Sequence, residues 1–164
     1  VRRTAGIGAI LAACAGPAMA QPAPGTLQPP VAARCLSSPF GPRILPGLPK
    51  AGTYHWGIDM PAPAGGAVHA AAAGTVVAIR RRGAGGLEII LRHDGAPEPY
   101  ETLYAHLGAV APAFAEGKRT AEAGERLGVI GRTGVTYGTH VYFEVIQNNV
   151  RIDPNVFLKL PRCG

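Results

Sequence analysis

A mainly β domain, an antiparallel sheet or sandwich with short loops and little helix, is the fold this sequence predicts. Three observations point there. Glycine and proline are abundant, 23 and 16 of 164 residues, which favours turns and short strands over long helices. Several segments alternate polar and apolar residues at a period of two. The clearest of them, "THVYFEVIQNNVRIDP", holds two such runs joined by Asn148-Asn149, residues that tolerate positive φ. With 47% apolar residues the chain can build a core, and its length suits one domain with tails.

The elements follow in order. Residues 1–20 read as a secretory signal: Arg2 and Arg3, the apolar run "AGIGAILAACAGPA", and the small-x-small cleavage site "AMA". That run is too short for a membrane-spanning helix, so no transmembrane segment is expected. "LAAC", ending at Cys14, also resembles a lipobox, which would make the chain a lipoprotein. Either route takes it out of the cytoplasm, to a periplasm or envelope. Residues 21–34 are Pro/Ala-rich and read as an extended linker. The domain is expected over 35–164. It starts with turn after turn, "SSPFGPR" and "LPGLPKAG". "AVHAAAAGTVVAI" gives two strand pieces bent near Gly74. "GLEIILRHDG" and "YETLYAHLGAV" form a hairpin across "HDGAPEPY". Residues 111–123 are the one place for a helical turn. "AEAGERLGVIGRTG" gives a turn, a short strand and a Gly-rich loop, and the Asn148-Asn149 hairpin follows.

Charge and cysteines narrow the setting. The formal charge is +6, with Arg2 and Arg3 supplying two of those charges. A mildly basic mature chain suits an anionic polymer such as a cell wall. Nucleic acid is excluded as a partner, because no base-stacking motif accompanies the charge and aromatics are only 6%. Cys35 and Cys163 flank the domain. An oxidising compartment permits a bridge between them; two independent buried thiols are the alternative.

Five polar residues could carry chemistry: His55, Asp59, His106, His140 and Tyr142. A metal-dependent peptidase needs three protein ligands, an open position for water, and groups that manage protons. His55 and Asp59 are four apart, with Gly57 and Pro61 arguing against a helix. His140 and Tyr142 are two apart and share one face of a strand. His69 and His93 read as structural histidines. Tyr54 and Trp56 are either packing or a groove wall. "RRR" at 80–82 reads as a solvated strand end.

The contexts "HWGIDMPAPAGGAVHAAAAGTV", "TLYAHLG", "GERLGVIGRTGVTYGTHVYFEV" and "DP" together resemble the lysostaphin/LytM-type family of zinc endopeptidases of cell-wall peptides. The resemblance runs from about residue 38 to 158. It implies a Zn2+ cofactor, peptidoglycan as substrate, and His55 and Asp59 as the first two metal ligands. It implies that His106 and His140 are the catalytic histidines. The family's third ligand is a histidine where this chain has Tyr142. Three arrangements then stand open. Tyr142 ligates the metal as phenolate, or the metal rests on His55 and Asp59 completed by His140 or water, or the site is inactive. In the last case the resemblance implies a wall-binding domain or an activator of a cell-wall amidase.

Overall fold

A computed structural model describes residues 27–94 and 98–164. The segment expected as a signal lies outside the described residues. The elements are β1 (Gly41–Pro42), a 3-10 turn (Pro49–Ala51), β2 (Tyr54–His55), β3 (Ile58–Pro61), β4 (Ala67–His69), β5 (Gly74–Arg82), β6 (Gly86–His93), β7 (Tyr100–Ala105), β8 (Leu107–Val110), α1 (Pro112–Ala115), β9 (Thr120–Ala121), β10 (Arg126–Ile130), β11 (His140–Gln147), β12 (Val150–Ile152) and α2 (Asn155–Leu158). All strand pairings between them are antiparallel, as the alternation predicts. α1 falls in the expected window. α2 was not foreseen; Pro154 enters it and Lys159, at φ 52°, ends it.

A seven-stranded sheet runs β12-β11-β7-β6-β5-β9, with β3 pairing β11 as well. A three-stranded sheet, β4-β10-β8, and the β1-β2 pair complete the domain. β11 lies next to one edge of the large sheet and pairs with three strands. One edge pairs with β7. The other is shared, its first half by β3 and its second by β12. Period-two alternation then sorts its side chains. Val141, Phe143 and Val145 are buried in the main core, beside Ile58, Met60, Ile89, Leu91 and Tyr104. Burying each large apolar side chain stabilises the fold by about 1.5–3 kcal/mol. His140, Tyr142 and Glu144 occupy the opposite face. There Tyr142 packs on a small second cluster of Ile90, Leu103 and Ala105.

Two close approaches set the site. At Gly57 a Cβ would stand 2.4 Å from the Phe143 carbonyl oxygen and 2.9 Å from the Tyr142 ring. Only glycine lets β3 turn onto β11 there. Gly134, at φ +77°, would place a Cβ 2.2 Å from the Ala84 carbonyl oxygen, so the loop after β10 can lie against the β5–β6 turn.

The ends are tied in. Cys35 and Cys163 form the expected disulfide, 128 residues apart in sequence. The Leu36 amide donates to the Pro161 carbonyl and the Cys163 amide to the Leu36 carbonyl. Residues 27–34 differ from the extended linker predicted for them. Leu27 and Val31 are buried in the core, and the Gln28 amide donates to the Ala71 carbonyl. No helix of the described residues is long and apolar enough to cross a membrane.

Candidate active site

All five candidate residues line one groove of 560 Å³. Its walls are the loop over residues 43–51 and the loop over 135–139, and its floor is the polar face of β11.

His55 and Asp59 meet because the chain reverses between β2 and β3. The His55 ring is fixed by its Nδ1, which donates to the Pro39 carbonyl at 2.9 Å, with Ser38 Oγ 3.3 Å away. A ring protonated at Nδ1 presents a bare lone pair at Nε2. That Nε2 lies 3.2 Å from Asp59 Oδ1. On the other carboxylate oxygen, Arg43 stands at 3.8 Å. Arg43 is itself held by Ser38 Oγ at 2.7 Å and the Ala51 carbonyl at 2.6 Å. The Asp59 backbone pairs with Ser37 and Ser38. The segment around the short strand β1 thus supplies Ser38, Pro39 and Arg43, which orient the first two candidate ligands. Sequence reasoning missed all three.

His106 sits at the junction where the chain leaves β7 for β8, and its φ is +62°. A non-glycine residue in this region costs roughly 1–2 kcal/mol, so the surroundings must hold it. The His106 amide donates to the Gly85 carbonyl, and its own carbonyl accepts from the Gly131 amide. Its Nδ1 donates to the Thr133 carbonyl at 2.9 Å. Thr133 is locked in turn, donating to the Leu107 carbonyl and accepting from the Leu87 amide, both at 2.8 Å. In the neutral ring this tautomer places the lone pair at Nε2. The "GRTG" loop was legible as a loop, but not as the clamp on His106.

His140 enters from β11. Its ring stands edge-on to His106, centroids 4.9 Å apart. Its Nε2 lies 3.4 Å from the same Asp59 Oδ1. Burial pushes the His140 imidazole below its ordinary pKa, against the raising pull of Asp59.

Tyr142 is brought to the groove as well, its ring 5.1 Å from that of His55. Its hydroxyl, however, donates to Glu144 Oε1 at 2.5 Å. Arg151 holds the other oxygen of Glu144 at 3.0 Å. Burial, with the neighbouring Glu144 carboxylate next in weight, raises the Tyr142 pKa far above its ordinary value.

Among the described residues no three His, Cys, Asp or Glu side chains make a ready-made metal cage. A divalent cation nonetheless suits what stands here. Asp59 Oδ1 is buried and accepts no hydrogen bond, although two imidazole nitrogens face it. Buried acceptors normally find a donor. An orphaned carboxylate oxygen among nitrogen lone pairs fits a cation that oxygen and imidazole both ligate.

A family model, Peptidase family M23, matches residues 53–154 of this sequence. The chain belongs to peptidase family M23. Its matched segment carries every residue of the groove floor named above. Among curated M23-like relatives, the chain is 37% identical over 126 residues to the DD-carboxypeptidase/endopeptidase Mpg of Neisseria meningitidis, covering 77% of this chain and 27% of that protein. It is 32% identical over 111 residues to the peptidoglycan DD-endopeptidase ShyA of Vibrio cholerae, covering 68% of this chain and 24% of that one. The chain thus spans about a quarter of the length of these relatives. Its fold is similar to the catalytic domain of the antimicrobial peptidase lysostaphin from Staphylococcus simulans, with TM-score 0.63 and 26% identity, over 76% of this chain and 91% of that domain. The expected lysostaphin-type β fold is therefore the fold of this M23 chain.

The remaining histidines play other parts. His93 is buried; its Nδ1 donates to the Ala73 carbonyl, and its Nε2 meets the Thr102 hydroxyl, both at 2.8 Å. Its reading as structural stands. His69 is on β4, away from the groove lining. Tyr54 and Trp56 form a partly exposed aromatic rim with Phe40, and both line the groove. Of the three arginines at 80–82, Arg81 and Arg82 are exposed and Arg80 pairs with Glu88 at 2.6 Å.

Proposed function

We propose that this domain hydrolyses a peptide bond in peptidoglycan stem peptides or cross-bridges, in the cell envelope of an exporting bacterium, with a bound divalent metal such as Zn2+. The observation that carries the reading is the pairing of an orphaned, buried Asp59 oxygen with His55, beside a strain-held His106, on the floor of an open groove.

His55 and Asp59 would hold the metal, whose contribution is to lower the pKa of a bound water toward neutrality. The protein's own groups do the rest. The His106 Nδ1–H donates to the Thr133 carbonyl, so the neutral ring carries its free lone pair at Nε2. It can accept the water's proton and later return it to the leaving amine. Arg43 keeps Asp59 oriented. The rim of Tyr54 and Trp56 gives an extended substrate an aromatic wall.

One observation favours a second reading. The Tyr142 hydroxyl is committed to Glu144, which suits a domain that binds the wall, or activates a cell-wall amidase, without cutting. Digestion of purified peptidoglycan with and without a chelator separates the two. Chelator-sensitive release of peptides supports the peptidase. No release, with wall binding retained, overturns it and leaves the binding module.

A further inference from the structure

We propose that His140, not Tyr142, is the third protein ligand of the metal in this chain. The inference rests on the metal reading above and assigns its coordination.

The argument starts at Asp59 Oδ1. His55 Nε2 is 3.2 Å from it and His140 Nε2 is 3.4 Å from it. Neither contact is a hydrogen bond, since the oxygen has no partner. An ion pair would place a proton on the line between nitrogen and oxygen. Here His55 carries its proton on the far side, against the Pro39 carbonyl. The spacing instead matches ligands around one small cation. Metal bonds of 2.0–2.2 Å arranged as a tetrahedron put neighbouring ligand atoms about 3.3–3.6 Å apart. Two edges of such a tetrahedron are in place, and both end on the oxygen that nothing else satisfies. Arg43 stands 3.8 Å from the second oxygen of Asp59, on the side away from the two imidazoles' shared contact.

Tyr142 has no matching geometry. It faces the groove next to His140, but its hydroxyl is spent on Glu144, and Glu144 is pinned by Arg151. To reach the metal, Tyr142 would have to break the first of these contacts. Moving His140 into the ligand set leaves His106 as the groove histidine that handles protons, with its ring 4.9 Å from that of His140.

The test is metal affinity in the full chain, with zinc titrated against a competing chromogenic chelator and peptide hydrolysis not required. Tyr142→Phe is expected to stay within about threefold of the unmodified chain. His140→Gln is expected to lose at least 10–100-fold, the scale set by losing a group that supports a metal site. Cobalt substitution gives a second readout that does not depend on affinity: the visible spectrum should change with His140→Gln and not with Tyr142→Phe. Equal melting temperatures exclude unfolding as the cause; if His140→Gln melts lower, its cobalt spectrum at low temperature decides. A chain that binds zinc but is indifferent to His140→Gln, or that loses zinc with Tyr142→Phe, overturns the inference and spares the peptidase reading. A chain that binds no zinc overturns both.

Discussion

The Tyr142 hydroxyl donates to Glu144 Oε1, two residues further along the same strand and on the same face. Arg151 completes Glu144 from β12 and lies 5.5 Å over the ring of Trp56. A line of contacts therefore runs from Tyr142 to the rim of the groove. The tyrosine is built into the wall of this site.

Replacing that tyrosine tests the wall directly. In Tyr142→His the imidazole stands on the groove face of β11, in register with Asp59. Zinc affinity should rise by about 10–100-fold, as read by chelator competition. An unchanged affinity would mean that position 142 does not reach the metal.

His106 should matter to turnover and not to metal. His106→Asn suits the left-handed backbone, which asparagine tolerates. Release of peptides from peptidoglycan should fall by about 10²–10⁴-fold, the usual scale for a proton-transferring group. Zinc affinity should stay within about threefold. A parallel loss of both would place His106 in the ligand set.

The His93 cluster predicts a pH dependence of stability. Burial, the leading cause, holds the His93 pKa below the ordinary histidine value of about 6.5, so the folded state binds its proton less readily than the unfolded chain. Stability is then fully present above about pH 6.5 and is lost as pH falls toward the lower folded value. Urea midpoints should drop between pH 7.5 and 5.5. The drop should be shallower in His93→Gln, which isolates this residue from His140, shifted in the same direction. Identical slopes would remove His93 from the acid response.

The bridge should dominate global stability. A loop of 128 residues closed by a disulfide is worth about 4–5 kcal/mol by the chain-entropy model. Replacing both Cys35 and Cys163 by serine should lower unfolding free energy by about that much, measured by denaturant titration in oxidising buffer. A loss under 1 kcal/mol would show that backbone contacts around Leu36 hold the ends without it.

Much of this was legible in the sequence because strands and turns are local. The alternation of "HVYFEVIQ" sets which face of β11 holds His140 and Tyr142. The Asn148-Asn149 turn adopts positive φ at both residues, 50° and 61°, as asparagine allows. All five site residues converge on one groove. The unreadable part is tertiary. Ser38, Pro39 and Arg43 come from a run of turns with no periodicity to place it, yet they orient His55 and Asp59. The docking of Leu27 and Val31 depends on a core surface that a Pro-rich composition does not announce. That His140 would face Asp59 follows from β3 and β11 pairing, a long-range register. The Tyr142–Glu144 bond did leave a signal, two polar residues at i and i+2 on a strand, which is legible once one face is known to be a groove.

The Cys35–Cys163 link carries a consequence for biosynthesis. Cys35 is joined by a few residues to Ser38 and Pro39, which hold His55, and its partner is 128 residues downstream. In a chain threaded through a membrane N-terminus first, the two sulfurs cannot meet until almost the whole domain has emerged. In such a chain the segment that orients His55 and Asp59 is clasped last. Wherever thiols are kept reduced, the same polypeptide would hold these residues without that clasp.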